Sequence, residues 1–241
     1  MQQPVIFGHR GSSAFEPENT MRAFARAFQD GAKGIEFDIR LTKDEQIVII
    51  HDEAINRTSN GSGLVKDMTF EELQQFDFGK GEKIPLLKDV LKLYGNRFWL
   101  NIEIKEVKLE KQLTELLIDM NITKKIVISS FIKETLEKIK EIDFNFNTAY
   151  LYAIRKINLN YIKNELKCEG IHPSKNNITK RLLKKTKGMK LAVRVWTVDN
   201  PKKAIKLAKL GVDGIITNNP KLITDTLQAN SAIKETILRE K

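Results

Sequence analysis

Residues 34–41 read GIEFDIRL and residues 101–106 read NIEIKE. In an extended strand, successive side chains point to opposite faces. Glu36 and Asp38 therefore share one face, and Ile35, Phe37 and Ile39 fill the other. The second stretch repeats the pattern, with Glu103 and Lys105 on one face and Ile102 and Ile104 on the other. A strand that packs one face on helices needs that face apolar, so the acidic faces must point into a lumen. Unpaired carboxylates buried there cost several kcal/mol each. Three of them need a counter-charge.

The rest of the chain supplies a barrel for that lumen. Strand-like runs fall at 5–8, 34–41, 98–105, 126–129, 148–152, 169–172, 190–197 and 213–217. Amphipathic stretches such as LEKQLTELLIDM, KETLEKIKEI and PKKAIKLAKLG lie between them. In TMRAFARAFQDG, Asn19 or Thr20 can cap the start of a helix and Gly31 its end. Eight strands, each followed by a helical stretch, predict an α/β chain folded as a (β/α)8 TIM barrel, which needs about 250 residues. The 241 residues suit one such domain over 1–241. A doubly wound sheet is disfavoured because no glycine-rich dinucleotide loop occurs.

Residues 52–85 break the alternation where a barrel helix is due. They carry turn signals at NGSG and GKGEKIP and one short helix, TFEELQQF, with Thr69 and Glu72 in a capping-box pattern. This reads as a small insertion in the second βα unit, on the catalytic rim, as a surface elaboration or a lid. Phe70, Leu73, Phe76 and Phe78 could form an apolar rim there or pack the insertion's own core.

Composition excludes several classes. The 41 % hydrophobic and 30 % charged content describes a soluble chain, with no apolar run near the roughly 18 residues of a membrane span. MQQPVIFGHR has neither a basic nor a long apolar segment, so no signal peptide is expected. Cys168 is the single cysteine, so no intrachain disulfide forms, which fits a cytoplasmic location. The net charge of +10 is spread along the chain with few aromatics, which argues against nucleic acid and for attraction of a small anion.

The remaining charged groups converge on the acids. In HRGSSAFEPENT, residues 9–20, His9 and Arg10 end the first strand. His51 ends the run QIVII, an extension of the second βα unit. Two imidazoles beside an acid cluster suit general acid and general base. Arg10 and Lys105 either neutralise the acids as inward salt bridges or hold an anion. Oxygen ligands without thiolate select a hard cation, so Glu36, Asp38 and Glu103 point to Mg2+, Ca2+ or Mn2+. Acid, base, cation pair and divalent metal together describe phosphoester cleavage.

These stretches, with VRVWTVDN at 193–200 and GVDGIITNNP at 211–220, resemble the glycerophosphodiester phosphodiesterase family over nearly the whole chain and in the family's order. The resemblance implies a TIM barrel with a small insertion, one divalent metal, and hydrolysis of glycerophosphodiesters to sn-glycerol 3-phosphate and an alcohol. It implies His9 and His51 as the catalytic pair, Glu36, Asp38 and Glu103 on the metal, and Arg10 and Lys105 on the phosphate. Trp196 resembles the aromatic wall of the family's substrate pocket. Asn19 reads as a helix cap, Glu18 as a partner of Arg10, and His172 as a group able to line the pocket. The family often has Asp where this chain has Asn218, a departure expected to touch only rim contacts. The alternatives are a lysophospholipase D, a phosphatidylinositol-type phospholipase, and a non-catalytic phosphate-binding barrel.

Overall fold

A computed structural model of the chain describes residues 3–154 and 157–239, with side chains to residue 232. The parallel strands are β1 (Val5–His9), β2 (Gly34–Leu41), β4 (Trp99–Ile104), β5 (Ile126–Ser130), β6 (Thr148–Tyr152), β7 (Gly170–Pro173), β8 (Ala192–Val195) and β9 (Gly214–Thr217). Each pairs with its sequence neighbour, and β1 pairs with both β9 and β2, so the eight close into the expected barrel. The outer faces behave as the alternation requires: Ile35, Phe37 and Ile39, like Leu100 and Ile102, are fully buried against the helices, and Ile104 is nearly so.

Helices α1 (Met21–Gln29), α3 (Leu87–Tyr94), α4 (Glu110–Asp119), α5 (Lys133–Ile142), α6 (Lys180–Gly188), α7 (Pro201–Leu210) and α8 (Pro220–Arg239) return the chain. A π-helical turn at Tyr161–Glu165 serves between β6 and β7. The cap of α1 is Thr20, whose hydroxyl accepts from the Ala23 amide at 3.2 Å. Asn19 is not the cap. It sits at φ +57, and its amide donates instead to Asp38 at 3.0 Å.

One strand was not foreseen. The run QIVII is not a continuation of the barrel but β3 (Ile47–Ile49), which folds back antiparallel on β2 with Ile49 opposite Ile39. Glu45 at φ +59 makes the reversal, and the Thr42 hydroxyl accepts from the Gln46 amide across it at 2.9 Å. The hairpin carries His51 back over the end of β2, where the Ile50 amide donates to the Asp38 carbonyl at 3.0 Å. The insertion that follows builds its own small core from Val48, Ile50, Ile55, Val65, Leu73, Phe78 and Ile84. Its short helix α2 (Phe70–Leu73) has the capping box that its sequence predicted. Phe70 and Phe76 pack on the same core, so the four apolar residues hold the insertion together and do not form an apolar rim.

Candidate active site

The inner face of β2 and β4 brings Glu36, Asp38 and Glu103 together. One carboxylate oxygen from each lies within 4.8 Å of the others, and all three residues are buried. The register explains this, because Asp38 stands opposite Glu103 across the β2–β4 ladder. Burial, then the charge of Asp38, pushes Glu36 and Glu103 above the ordinary carboxylate range.

Two cations answer three anions. The Arg10 Nε lies 3.3 Å from Asp38, and Lys105 Nζ lies 2.6 Å from Glu103 and 3.6 Å from Asp38. Asp38 Oδ1 is nonetheless buried without a hydrogen bond. An excess negative charge and an orphaned carboxylate oxygen in a small oxygen-lined pocket fit a divalent hard cation.

The strand end that carries Arg10 is sharply bent. Arg10 itself is in the left-handed region, and Gly11 follows at φ +86. A Cβ on Gly11 would stand 2.5 Å from the Ala23 carbonyl carbon, so the close approach of α1 requires glycine. In this bend the Arg10 amide donates to the Glu36 carbonyl at 2.7 Å, which fixes the guanidinium over the acids. Burial opposes its charge, but Asp38, Glu18 and Glu36 together raise its pKa.

Both imidazoles are oriented through Nδ1. His51 Nδ1 meets Asp52 at 2.6 Å, and Arg57 of the insertion donates to the other oxygen of Asp52 at 2.6 Å. Arg57 also grips Glu18 through two bonds of 2.9 and 2.8 Å, and Glu18 accepts from Arg10 at 2.7 Å as its sequence reading expected. His9 Nδ1 meets Asn218 Oδ1 at 2.7 Å. That oxygen also accepts from Ser13 at 3.0 Å, and the Asn218 amide donates to Asp199 at 2.8 Å. Asn218 Oδ1 can only accept, so His9 donates from Nδ1 and leaves the Nε2 lone pair free, 3.9 Å from Glu36. Burial, then Arg10, lowers the His9 pKa; burial lowers that of His51 against the opposing pull of Asp38 and Asp52.

Asn218 is therefore no mere rim residue. The departure from the family's usual Asp sits directly on His9, and Asp199 holds it there. Sequence reasoning missed Asp199, Asp52 and Arg57, and gave Asn218 only rim contacts, because their importance lies in contacts between distant loops. The one available signal was the Asn at position 218 where the resemblance leads one to expect Asp.

The remaining expected residues divide. Trp196 follows β8 and lines the same cleft as His9, Arg10, Glu36, His51, Glu103 and Lys105. Its indole donates to the His172 carbonyl at 2.7 Å, and its ring meets exposed Phe131 edge-on with centroids 5.7 Å apart. His172 does not line the cleft. It is fully buried inside the barrel with neither ring nitrogen bonded, and burial drives its pKa well down. The cause is its register: its side chain shares the inner face with Arg194, whose charge adds to the lowering.

Known proteins carry the same arrangement of sequence and fold. Residues 9–222 match the model of the "Glycerophosphoryl diester phosphodiesterase family". The chain is 35 % identical over 237 residues to a glycerophosphodiester phosphodiesterase of Caldanaerobacter subterraneus, covering 93 % of this chain and 98 % of that one. It superposes with a TM-score of 0.86 and 27 % identity on an Oleispira antarctica phosphodiesterase solved with the product sn-glycerol-3-phosphate, over 94 % of this chain and 97 % of that one. A Silicibacter pomeroyi structure, TM-score 0.87 at 22 % identity over 95 % of each chain, shares the fold. With five motifs in order along a closed barrel and a model match spanning nearly its whole length, this chain belongs to the glycerophosphoryl diester phosphodiesterase family.

Proposed function

We propose that the protein hydrolyses glycerophosphodiesters to sn-glycerol 3-phosphate and an alcohol in this cleft, using His9 and His51 for proton transfer and one divalent cation, Mg2+, Ca2+ or Mn2+, on Glu36, Asp38 and Glu103. The observation that carries the reading is the pair of imidazoles, each tethered through Nδ1, beside the three-carboxylate cluster. The cation, when bound, neutralises the carboxylates and draws electron density from the phosphoryl group.

The side chains supply the rest. Arg10 and Lys105 hold the phosphate oxygens, the guanidinium as a fork and the ammonium as a point charge. His9 has a neutral partner in Asn218, with no charge at Nδ1 to favour an imidazolium, so it takes the proton from the attacking hydroxyl. That hydroxyl is either that of water or the neighbouring glycerol hydroxyl, in which case water then opens the resulting cyclic phosphate. The Asp52 carboxylate on His51 Nδ1 works against the burial that lowers the His51 pKa and favours its imidazolium, whereas His9 has a neutral partner there, so His51 is assigned to protonate the departing alcohol. Trp196 and Phe131 form an aromatic wall of the same cleft, against which the substrate packs. The inward packing of Phe70, Leu73, Phe76 and Phe78 supports a small water-soluble diester over a lipid. Among the described residues no helix is long and apolar enough to cross a membrane. We read the 1–241 chain as one cytoplasmic domain, with 52–85 as its rim insertion.

A panel of glycerophosphodiesters and lysolipids, each assayed with and without EDTA, tests the reading. Metal-dependent release of sn-glycerol 3-phosphate is expected; turnover confined to lysolipids, or no turnover of any diester, overturns it. In the same assay Lys105→Ala is expected to lower kcat/KM about tenfold or more, the scale of one charge-assisted contact. An unchanged kcat/KM would remove Lys105 from the phosphate.

The Asn218 contact gives a second expectation. Asn218→Asp puts a carboxylate on His9 Nδ1, which favours the imidazolium and raises the pKa by roughly 1 unit or more. A base must be neutral, so the acidic limb of the kcat/KM profile is expected to move to higher pH. A limb that stays in place would mean that His9 is not the base.

A further inference from the structure

The floor of the barrel, at the end away from the carboxylates, is charged. Phe7, Trp99 and Arg194 come from β1, β4 and β8 and meet there. The Arg194 guanidinium lies 6.0 Å from the Phe7 ring centroid and 5.6 Å from that of Trp99. Glycines make the room: a Cβ on Gly214 would stand 2.9 Å from Arg194 Cγ, and one on Gly170 would stand 3.3 Å from its Nη1.

This arginine is only partly buried, and among the described residues it has no ion pair or side-chain hydrogen bond. Burial pulls its pKa down to about 10 with only Asp213 opposing, so it stays charged at neutral pH. The Asp213 carboxylate accepts from the Val193 amide at 2.7 Å.

Arg194 opens into a groove of about 1100 Å³ in which Asp213 is the only acid. Lys180, Lys184, Lys187, Lys190 and Lys209 line it. All five are exposed, and none is ion-paired among the described residues. A guanidinium held in a prepared slot, backed by aromatic rings and ringed by unpaired ammonium groups, lacks the anion that such groups normally find. We propose that this groove is a second binding site, remote from the catalytic cleft, for a small, multiply charged phosphate-bearing anion. The planar fork meets phosphate oxygens, the lysines raise the local anion concentration, and the Trp99 and Phe7 rings keep the fork in place. The groove is large enough for a whole metabolite, since ligand sites commonly span about 300–1,000 Å³.

Trp99 reports on the site. The chain has two tryptophans, so Trp196→Phe leaves Trp99 as the sole tryptophan, excited selectively over the tyrosines at long wavelength. Pyrophosphate titrated into that variant is expected to give a saturable fluorescence change that potassium chloride at matched ionic strength does not reproduce. Adding Arg194→Gln is expected to weaken the apparent affinity about tenfold or more. Adding Lys187→Ala with Lys209→Ala, both on the surface, is expected to weaken it by a smaller factor at an unchanged melting temperature. The proposal is overturned by the lack of a saturable change, by an equal response to chloride, or by full affinity in Arg194→Gln. Loss in Lys105→Ala instead would assign the binding to the catalytic cleft and also overturn it. If Arg194→Gln fails to fold, the lysine pair decides, and unchanged affinity there rejects the site.

Discussion

His9→Ala and His51→Ala are each expected to lower kcat on a glycerophosphodiester by about 10²–10⁴-fold, the usual contribution of a positioned general acid or base. Neither side chain is part of the three-carboxylate cluster, so both variants should fold and keep their divalent-cation affinity. The two should differ with the leaving group. A good leaving group such as p-nitrophenolate departs without a proton, so His51→Ala should recover most of its rate on a p-nitrophenyl diester while His9→Ala stays impaired. The reverse pattern would exchange the two roles. Wild-type rates for both on a natural diester would remove the pair from the chemistry, and loss of cation binding in either would make that histidine a ligand.

Removing the divalent cation is expected to abolish turnover and to change the pH dependence of stability. Burial and the charge of Asp38 hold Glu36 and Glu103 above the ordinary carboxylate value of 4.5, so the folded metal-free protein binds protons that the unfolded chain has released. A raised carboxylate pKa stabilises the fold at low pH, and that contribution is lost as pH rises through the folded pKa. The three histidines act the other way, but all three are lowered, so they are nearly neutral in both states above about pH 7.5, one unit past the ordinary imidazole value. The melting temperature of the metal-free protein should therefore fall as pH is raised from about 7.5 through the folded value of about 8 for Glu36 and Glu103. A saturating divalent cation should reverse the trend, contributing about 2.7 kcal/mol at one hundred times its dissociation constant. Full turnover in protein verified to be metal-free, or a metal-free melting temperature that rises over this range, would refute the assignment of the cluster.

Local sequence determined what depends on period and on neighbours. The alternation in GIEFDIRL and NIEIKE fixed which face of each strand is apolar, and once helices cover that face the acids have only the lumen left. Thr69 and Glu72 announced their capping box because both partners lie within one turn of helix. The order of strands and helices likewise gave the closed barrel, since right-handed βα units allow few other arrangements.

Tertiary structure decided what depends on register and on loops that meet across the rim. QIVII reads equally well as a strand in either direction; only the turn at Glu45 sends it back and carries His51 over Asp38. Asn19 looks like a cap by residue type, yet Asp38 claims its amide and Thr20 takes the cap. His172 lies one residue before the end of its strand where His9 ends its own, and there it is sealed inside the barrel. Asn218 reaches His9 across 209 positions of sequence, and Arg57 reaches Glu18 across 39, separations over which no local pattern carries information. Residue types and their period specify the barrel and its acidic lumen, whereas the partner that orients each imidazole follows from which loops the closed barrel sets side by side.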